Sequence, residues 1–318
     1  MLNSKFQSMP RRVEKTRIKI TAPLVLCIYD EAYYNSAVTF FDEFEYEIFS
    51  QFNYVTLDFS STVEITAAAA LILFAKITRC QCWAPPQLFS NPDQIIEIVL
   101  PTDRKLKKRI VESGLWSAIK PGGQRKLAKL WQDNKNPYKT GSDPANELGD
   151  MIRLLRQQFN KTLPRHIVAA IQEAYLNIAH HAYEEFKHAA EPLHEFMVGR
   201  WWQFAQKNPR TNHMVVVIYD MGSGIPKSIS ADKVFTGSDS SEIHKAMQTG
   251  VTRLKIQGRG MGFDNIKKPI ELNASADYLG IYSGKGKIFY RRGKVIESVD
   301  HDHTIGGTLI EWVFGEEE

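Results

Sequence analysis

Four short stretches of this 318-residue chain combine residue types and spacings that could do chemistry. In QEAYLNIAHHAY, residues 172–183, Glu173 and Asn177 are four apart, so on a helix they share a face. Leu176, Ile178 and Ala179 can then serve the packed side. Two polar residues within an otherwise apolar helix suggest a site; the plainer alternative is a polar helix edge. In DMGSGIP, residues 220–226, Asp220 ends an apolar strand, and Gly222 and Gly224 follow at spacings of two. The carboxylate can accept a hydrogen bond from an exocyclic amine while the glycines let a flat ring come close, or the stretch is an ordinary turn. In QGRGMGF, residues 257–263, Gly258, Gly260 and Gly262 alternate with Arg259 and Met261, directly before a helical pattern in DNIKKPIEL. Glycine permits close backbone approach, and a helix N-terminus offers unpaired N–H groups and positive dipole character. That pattern suits a phosphate, although glycine-rich turns are common. The fourth stretch is GGT, Gly306 to Thr308, which opens the last strand or makes a hairpin turn.

Two groups of elements would position these residues. In the first, PLVLCIYD (23–30) reads as a buried strand, 32–52 as a helix, YVTLDFS (54–60) as a strand and 65–79 as a buried, alanine-rich helix. IIEIVLP (95–101) and 103–116 add a strand and a helix, an alternation that predicts a small α/β layer domain. KPGGQRK (120–126) and NKNPYKTGSDPANELGD (134–150) shift the composition toward Gly, Pro, Asn and Lys, which places a domain boundary there: 1–130 and 131–318. The second group has helices over 147–159 and 165–186, a strand at 214–220, strands joined by tight turns over 278–300 and a closing strand at 306–314. The expected class is α+β.

Composition narrows the function. A net charge of +4 is too small to imply nucleic acid, and RKLKKR at 104–109 reads as the wet face of an amphipathic helix. The longest apolar run, AAAALILFA at 67–75, is too short to span a bilayer, and the N-terminus has no apolar signal core. Cys27, Cys80 and Cys82 cannot make a disulfide framework; thiols in a reducing cytoplasm are expected. HDH at 301–303 lacks a third well-spaced ligand and reads as a polar loop.

Taken in order, the four stretches resemble the GHKL superfamily of ATP-binding domains, the Bergerat-fold group that includes histidine kinases, type II topoisomerase ATPase subunits, MutL proteins and anti-sigma-factor serine kinases. The resemblance spans about 145–318. QEAYLNIAHHAY is similar to the family's N box, and GRGMGFDNI is most similar to the anti-sigma kinases, which share Gly-Met-Gly-Phe. It implies an α/β sandwich that binds ATP and Mg²⁺. Asn177 would hold Mg²⁺ on the phosphates, and Asp220 would bind the adenine amino group, helped through water by Thr308. Gly222 and Gly224 would make room for the base. Gly258, Gly260 and Gly262 would wrap the phosphates with Arg259 and Met261 between them, and Glu173 would orient or deprotonate the attacking water. Residues 227–257 would be a mobile lid. The chain departs from the anti-sigma kinases at Arg259, which immediately precedes Gly260, whereas their arginine stands two residues before Gly-Met-Gly. None of the nine histidines has a phosphoacceptor context.

Residues 20–120 are similar to the STAS domains of anti-sigma-factor antagonists, through YVTLDFSSTVEITAAAALILFAKITR and RIVESGLWSAI. Where that family carries Asp-Ser-Ser-Gly, this chain has Thr66, Ala67, Ala68 and Ala69, so a docking surface is implied rather than a phosphoacceptor. The alternative is a small α/β domain that only stabilises the chain. The two resemblances together imply a Mg²⁺-dependent ATP-binding protein, a slow ATPase switching the surface offered to a protein partner, with a homodimer as one expected assembly. The rival expectations are a serine/threonine protein kinase acting on a separate STAS protein and a non-hydrolysing nucleotide sensor.

Overall fold

In RIKIT the isoleucines alternate with arginine and lysine, the period-two pattern of a half-buried strand. The chain accordingly opens with β1 (Arg17–Thr21). The computed structural model describes residues 16–85, 88–89, 91–159, 163–188, 194–208, 211–230, 237–248, 262–273 and 275–315. After β1 come β2 (Val25–Leu26), α1 (Glu31–Phe49), β3 (Tyr54–Asp58), β4 (Glu64–Ile65) and α2 (Ala67–Trp83). Next are β5 (Ile96–Val99), α3 (Arg104–Glu112), α4 (Leu115–Ile119) and α5 (Gly123–Gln132). β1, β3 and β5 form a three-stranded parallel sheet in that order. The strand expected at 23–30 is corrected: only two residues of it pair, with β4, and the sheet strand lies earlier. The charged residues of RIKIT hide it from a search for apolar runs. Asp30 caps α1 by accepting from the Ala32 N–H (2.9 Å), and Asp103 caps α3 through Leu106 (2.6 Å).

The compositional shift at 120–150 is ordered structure. Gly122 and Gly123 open α5, whose Lys126 is buried with its Nζ on Gln81 Oε1 (2.7 Å). β6 (Tyr138–Gly141) follows, and buried Lys139 caps the end of α5 by donating to the carbonyls of Leu130 (2.5 Å) and Asp133 (2.7 Å). The stretches of shifted composition overlap α5, β6 and the start of α6, and the division expected between 130 and 131 falls inside α5.

The second group continues with α6 (Pro144–Phe159), α7 (Arg165–Asn177), a π-helical turn at Ile178–Ala182, β7 (Trp201–Lys207) and β8 (Met214–Asp220). Then come α8 (Ile225–Ser230), α9 (Asp239–Ala246) and α10 (Gly262–Leu272). β9 (Ala276–Ser283), β10 (Gly286–Arg291), β11 (Lys294–Asp300) and β12 (Thr308–Phe314) complete it. The seven-stranded sheet runs β11-β10-β9-β12-β8-β7-β6 and is antiparallel throughout. β12 pairs with β8 and β9, so GGT opens a central strand and is not a hairpin turn.

Four layers result. α1 and α2 lie between the two sheets, and α6, α7, α9 and α10 cover the far face of the larger one. The first half of α2 is apolar all round because it is enclosed: Ala68 through Ala75 are buried. β8 reads as the continuous run MVVVIY because both faces are covered, Val217 and Tyr219 toward α2 and Val216 and Ile218 toward α7. Polar contacts join the layers. The Tyr29 hydroxyl donates to Glu311 Oε1 (2.9 Å) and accepts from the Ala68 N–H (3.2 Å), while Tyr34 donates to the His303 carbonyl (3.2 Å) and stacks on His301. The HDH loop is thus a docking loop. The protein is α+β, no helix among the described residues is long and apolar enough to cross a membrane, and all three cysteines are free.

Candidate functional site

β8 delivers Asp220 to the end of a central strand, in register with Trp201 on β7 and Thr308 on β12. Its side chain is buried, at 6% exposure. Oδ1 accepts from the Gly222 N–H (2.8 Å), and the Thr308 N–H also favours the charged form. No cation among the described residues contacts it. Burial outweighs the two N–H donors and pushes the carboxyl up to about 7. With two backbone N–H donors the carboxylate still has lone pairs left to accept from a further donor.

Behind it, backbones meet at van der Waals range. A Cβ on Gly222 would collide with the carbonyl oxygen of Ala182, the last residue of the π turn. The Ser223 N–H donates to that oxygen (2.7 Å), and the Met221 N–H donates to the Tyr183 hydroxyl (3.2 Å). Gly224, at φ +85°, has Ser283 Oγ 2.9 Å from its Cβ position. Ser283 Oγ accepts from the Ile225 N–H (2.8 Å), donates to the Gly307 carbonyl (3.1 Å) and lies 3.0 Å from Thr308 Oγ1. A Cβ on Gly307 would strike the Asp220 carbonyl. In the direction of each missing side chain, then, the clearance expected for a flat ring is filled by the protein itself. The glycines of DMGSGIP and GGT bring β8, β12, β9 and the π turn together around Asp220.

Asn177 is the last residue of α7, half-buried, at the point where the helix widens into the π turn. Such turns cluster at functional sites because they re-aim side chains without ending the helix. Glu173 is one turn earlier and half-buried. Gly262 begins α10 directly against it, so close that a Cβ there would overlap Glu173 Oε1. The Glu173 carboxylate therefore stands at a helix N-terminus, where negative charge is favoured. Trp312 of β12 holds α10 through Nε1 on the Ile266 carbonyl (2.8 Å). The packed side of α7 is Ile167, Ala170, Ile171, Ala174 and Tyr175, with Ile178 also buried but Leu176 and Ala179 only half-buried.

The structure thus brings Asp220, Gly222, Gly224 and Thr308 into one cluster, with the π turn linking that cluster to Asn177 and Glu173, and α10 adding Gly262. Gly258, Arg259, Gly260 and Met261 lie outside the described residues, as do parts of the 227–257 segment. In its described part that segment departs from a free lid. Ser240 donates through N–H (2.9 Å) and Oγ (2.5 Å) to Asp300, and the Lys285 N–H donates to Asp239 (2.7 Å), so α9 is tied to the edge of the sheet. No group of three or more His, Cys, Asp or Glu able to hold a metal ion occurs among the described residues. Ala182, Tyr183 and Ser283 belong to the cluster and are not singled out by the sequence: Ala182 and Tyr183 close the QEAYLNIAHHAY stretch, and Ser283 carries no motif.

Gly222→Ala is expected to destabilise the protein by about 1–3 kcal/mol, the cost of overpacking against a backbone that cannot give way. Urea unfolding measures it, and an unchanged midpoint would mean that the Ala182 contact yields freely. A scan against models of protein families and a search of the curated proteins both find no match for this chain.

Proposed function

We propose that this chain binds Mg-ATP in a GHKL-type site within 131–318 and hydrolyses it slowly, as a switch for a protein partner. The observation that carries the reading is Asp220: a buried carboxylate with no cation on it among the described residues, at the end of a central strand, beside Thr308 and joined by the π turn to Asn177. Burial of this carboxylate outweighs its two backbone donors, so a further N–H donor would stabilise the charged form. The adenine amino group is such a donor, with Thr308 assisting through water. An antiparallel sheet with α7 and α10 side by side on one face also suits a Bergerat-type sandwich.

Asn177 would hold Mg²⁺, which would offset the charge of the phosphates. Glu173 would orient the attacking water and take its proton, since phosphoryl transfer asks mostly for positioning and charge stabilisation. Gly262 and the glycines before it would place backbone N–H groups on the phosphates at the start of α10. Three free thiols suit a cytoplasmic setting.

ATP bearing a labelled γ-phosphate tests the reading. Released phosphate supports the slow ATPase; label on a separate STAS protein would make the chain a serine/threonine kinase; nucleotide binding with neither would make it a sensor. No binding at all would sink the nucleotide site.

We read residues 20–120 as a STAS-like unit without its phosphoacceptor. Thr66 is the one hydroxyl at the start of α2, and its Oγ1 lies 3.4 Å from the Leu26 carbonyl, to which it donates. Ala67 to Ala69 offer only methyl groups. After incubation with Mg-ATP, mass spectrometry is expected to find Thr66 unmodified. Stoichiometric phosphate there would turn the reaction inward and revive the kinase reading.

A further inference from the structure

Between the two sheets lies a buried carboxylic acid. Glu311 of β12 is 1% exposed and faces the first group of elements. Its Oε1 accepts from two hydroxyls, those of Tyr29 (2.9 Å) in the turn before α1 and Tyr278 (3.3 Å) on β9. Its Oε2 is buried and has no hydrogen-bond partner. Directly opposite Glu311 the neighbouring strands carry Gly280 on β9 and Val217 on β8, and neither offers a polar side chain. The space where a Gly280 side chain would stand is taken by the Phe289 ring. The diagonal neighbours on β9 are Tyr278 and Tyr282, and the Tyr282 hydroxyl is likewise buried without a partner. The cation of this seam, Lys287 on β10, donates to the Tyr29 carbonyl (3.0 Å) and pairs with Glu297 of β11. Glu311 itself is in contact with no cation among the described residues.

An ionised carboxylate in this place holds a full charge with one oxygen unserved, a costly arrangement in a dry layer. A neutral acid carries its proton on Oε2, leaves Oε1 to accept from both tyrosines, and needs a single acceptor, which the unpartnered Tyr282 oxygen can supply. Burial accordingly outweighs the two hydroxyl donors and raises the acid from 4.5 to about 7. The Tyr29 hydroxyl also accepts from the Ala68 N–H (3.2 Å), so one hydroxyl joins Glu311 to the turn before α1 and to the first turn of α2.

We propose that Glu311 is a protonation-controlled latch between the two groups of elements: as a neutral acid it closes the seam, and its ionisation loosens the packing of Tyr29 and the start of α2 against β12. The other titratable group at the seam is His301, stacked on Tyr34. Burial, helped by Lys287, holds His301 below its ordinary value, so its protonation would loosen the seam in acid, the opposite direction. The latch does not rest on the nucleotide reading, and its test uses no ATP.

Hydrogen exchange of the full-length protein is followed by mass spectrometry between about pH 5 and pH 8, corrected for the intrinsic rate, in peptides that cover the start of α1, the start of α2 and β12, with α7 as the reference. A carboxyl raised by burial adds most to stability below its unfolded value, and that contribution is lost as pH rises through the folded value. Opening of the wild-type seam should therefore increase about tenfold or more from about pH 5 to pH 8 relative to Glu311→Gln, which keeps the shape and stays neutral. The variant should match the wild type near pH 5 and be better protected near pH 8. Tyr29→Phe removes a donor on which the ionised form depends, so it should open the seam more at the higher pH than at the lower. Asp220 and His301 are common to wild type and Glu311→Gln, and the ratio between the two proteins isolates Glu311. The same pH dependence in both, a Glu311→Gln seam more open than wild type at every pH, or an equal change in α7 overturns the proposal.

Discussion

Glu173→Gln is expected to leave ATP binding intact and to lower phosphate release by roughly 10²–10⁴, about 3–5 kcal/mol in the barrier. The magnitude is the usual worth of a positioned general base. The geometry motivates the residue: Glu173 is one turn before Asn177 on α7 and touches Gly262 at the start of α10. A γ-phosphate held at that helix N-terminus would have the carboxylate beside it. Glutamine keeps the shape and removes a negative charge near the triphosphate, so binding should not suffer. Asn177→Ala should differ, losing Mg²⁺-dependent binding as well as turnover. A calorimetric titration and a phosphate-release assay on both variants make the comparison. Wild-type hydrolysis by Glu173→Gln would put the base elsewhere, although the nucleotide site could stand.

Asp220→Asn should separate function from stability. The amide can keep its oxygen on the Gly222 N–H, but it then presents a donor to the adenine amine. Loss of a charge-assisted hydrogen bond costs about 1.5–3 kcal/mol, roughly 10- to 150-fold in ATP affinity. Stability should move the other way. Burial raises the folded-state value of the carboxyl from 3.8 to about 7. A raised carboxyl adds most to stability below its unfolded value, and that contribution is lost as pH rises through the folded value. Relative to the uncharged variant, the wild type should therefore lose about 3–5 kcal/mol between about pH 4 and pH 8. Urea melts of both proteins across that range, in the absence of nucleotide, measure the divergence. A variant that is less stable at every pH would mark Asp220 as purely structural, and unchanged ATP affinity would remove it from the site.

The alternation of strand and helix in the first part and the three tight-turned strands at 278–300 were legible because each is written in local pattern. So were α7, β8 and β12, whose periodicity reports burial on one face or two. β6 and β7 were not. Tyr138–Gly141 follows a polar, proline-containing stretch, and WWQFAQK interrupts its apolar residues with Gln203, which is buried because Tyr175 donates to it (3.0 Å). A buried amide whose oxygen is met by a distant hydroxyl leaves no mark in the chain.

Residue type and spacing by themselves determined which side chains could form a site: Glu173 and Asn177 share a helix face because helical geometry is local, and Asp220 ends an apolar strand whatever surrounds it. Only the tertiary structure decided what those side chains and glycines touch. Gly222 meets Ala182, Gly224 meets Ser283, Gly307 meets Asp220 and Gly262 meets Glu173, each contact across elements far apart in sequence. The same holds for the titration of Asp220, which depends on desolvation by the packed layers, and for α2, whose apolar circumference is explained by a second sheet lying against it. Hydrogen bonding within a turn or helix can be read from neighbours. Burial cannot, because the atoms that exclude water from a residue come from parts of the chain that its local sequence does not mention.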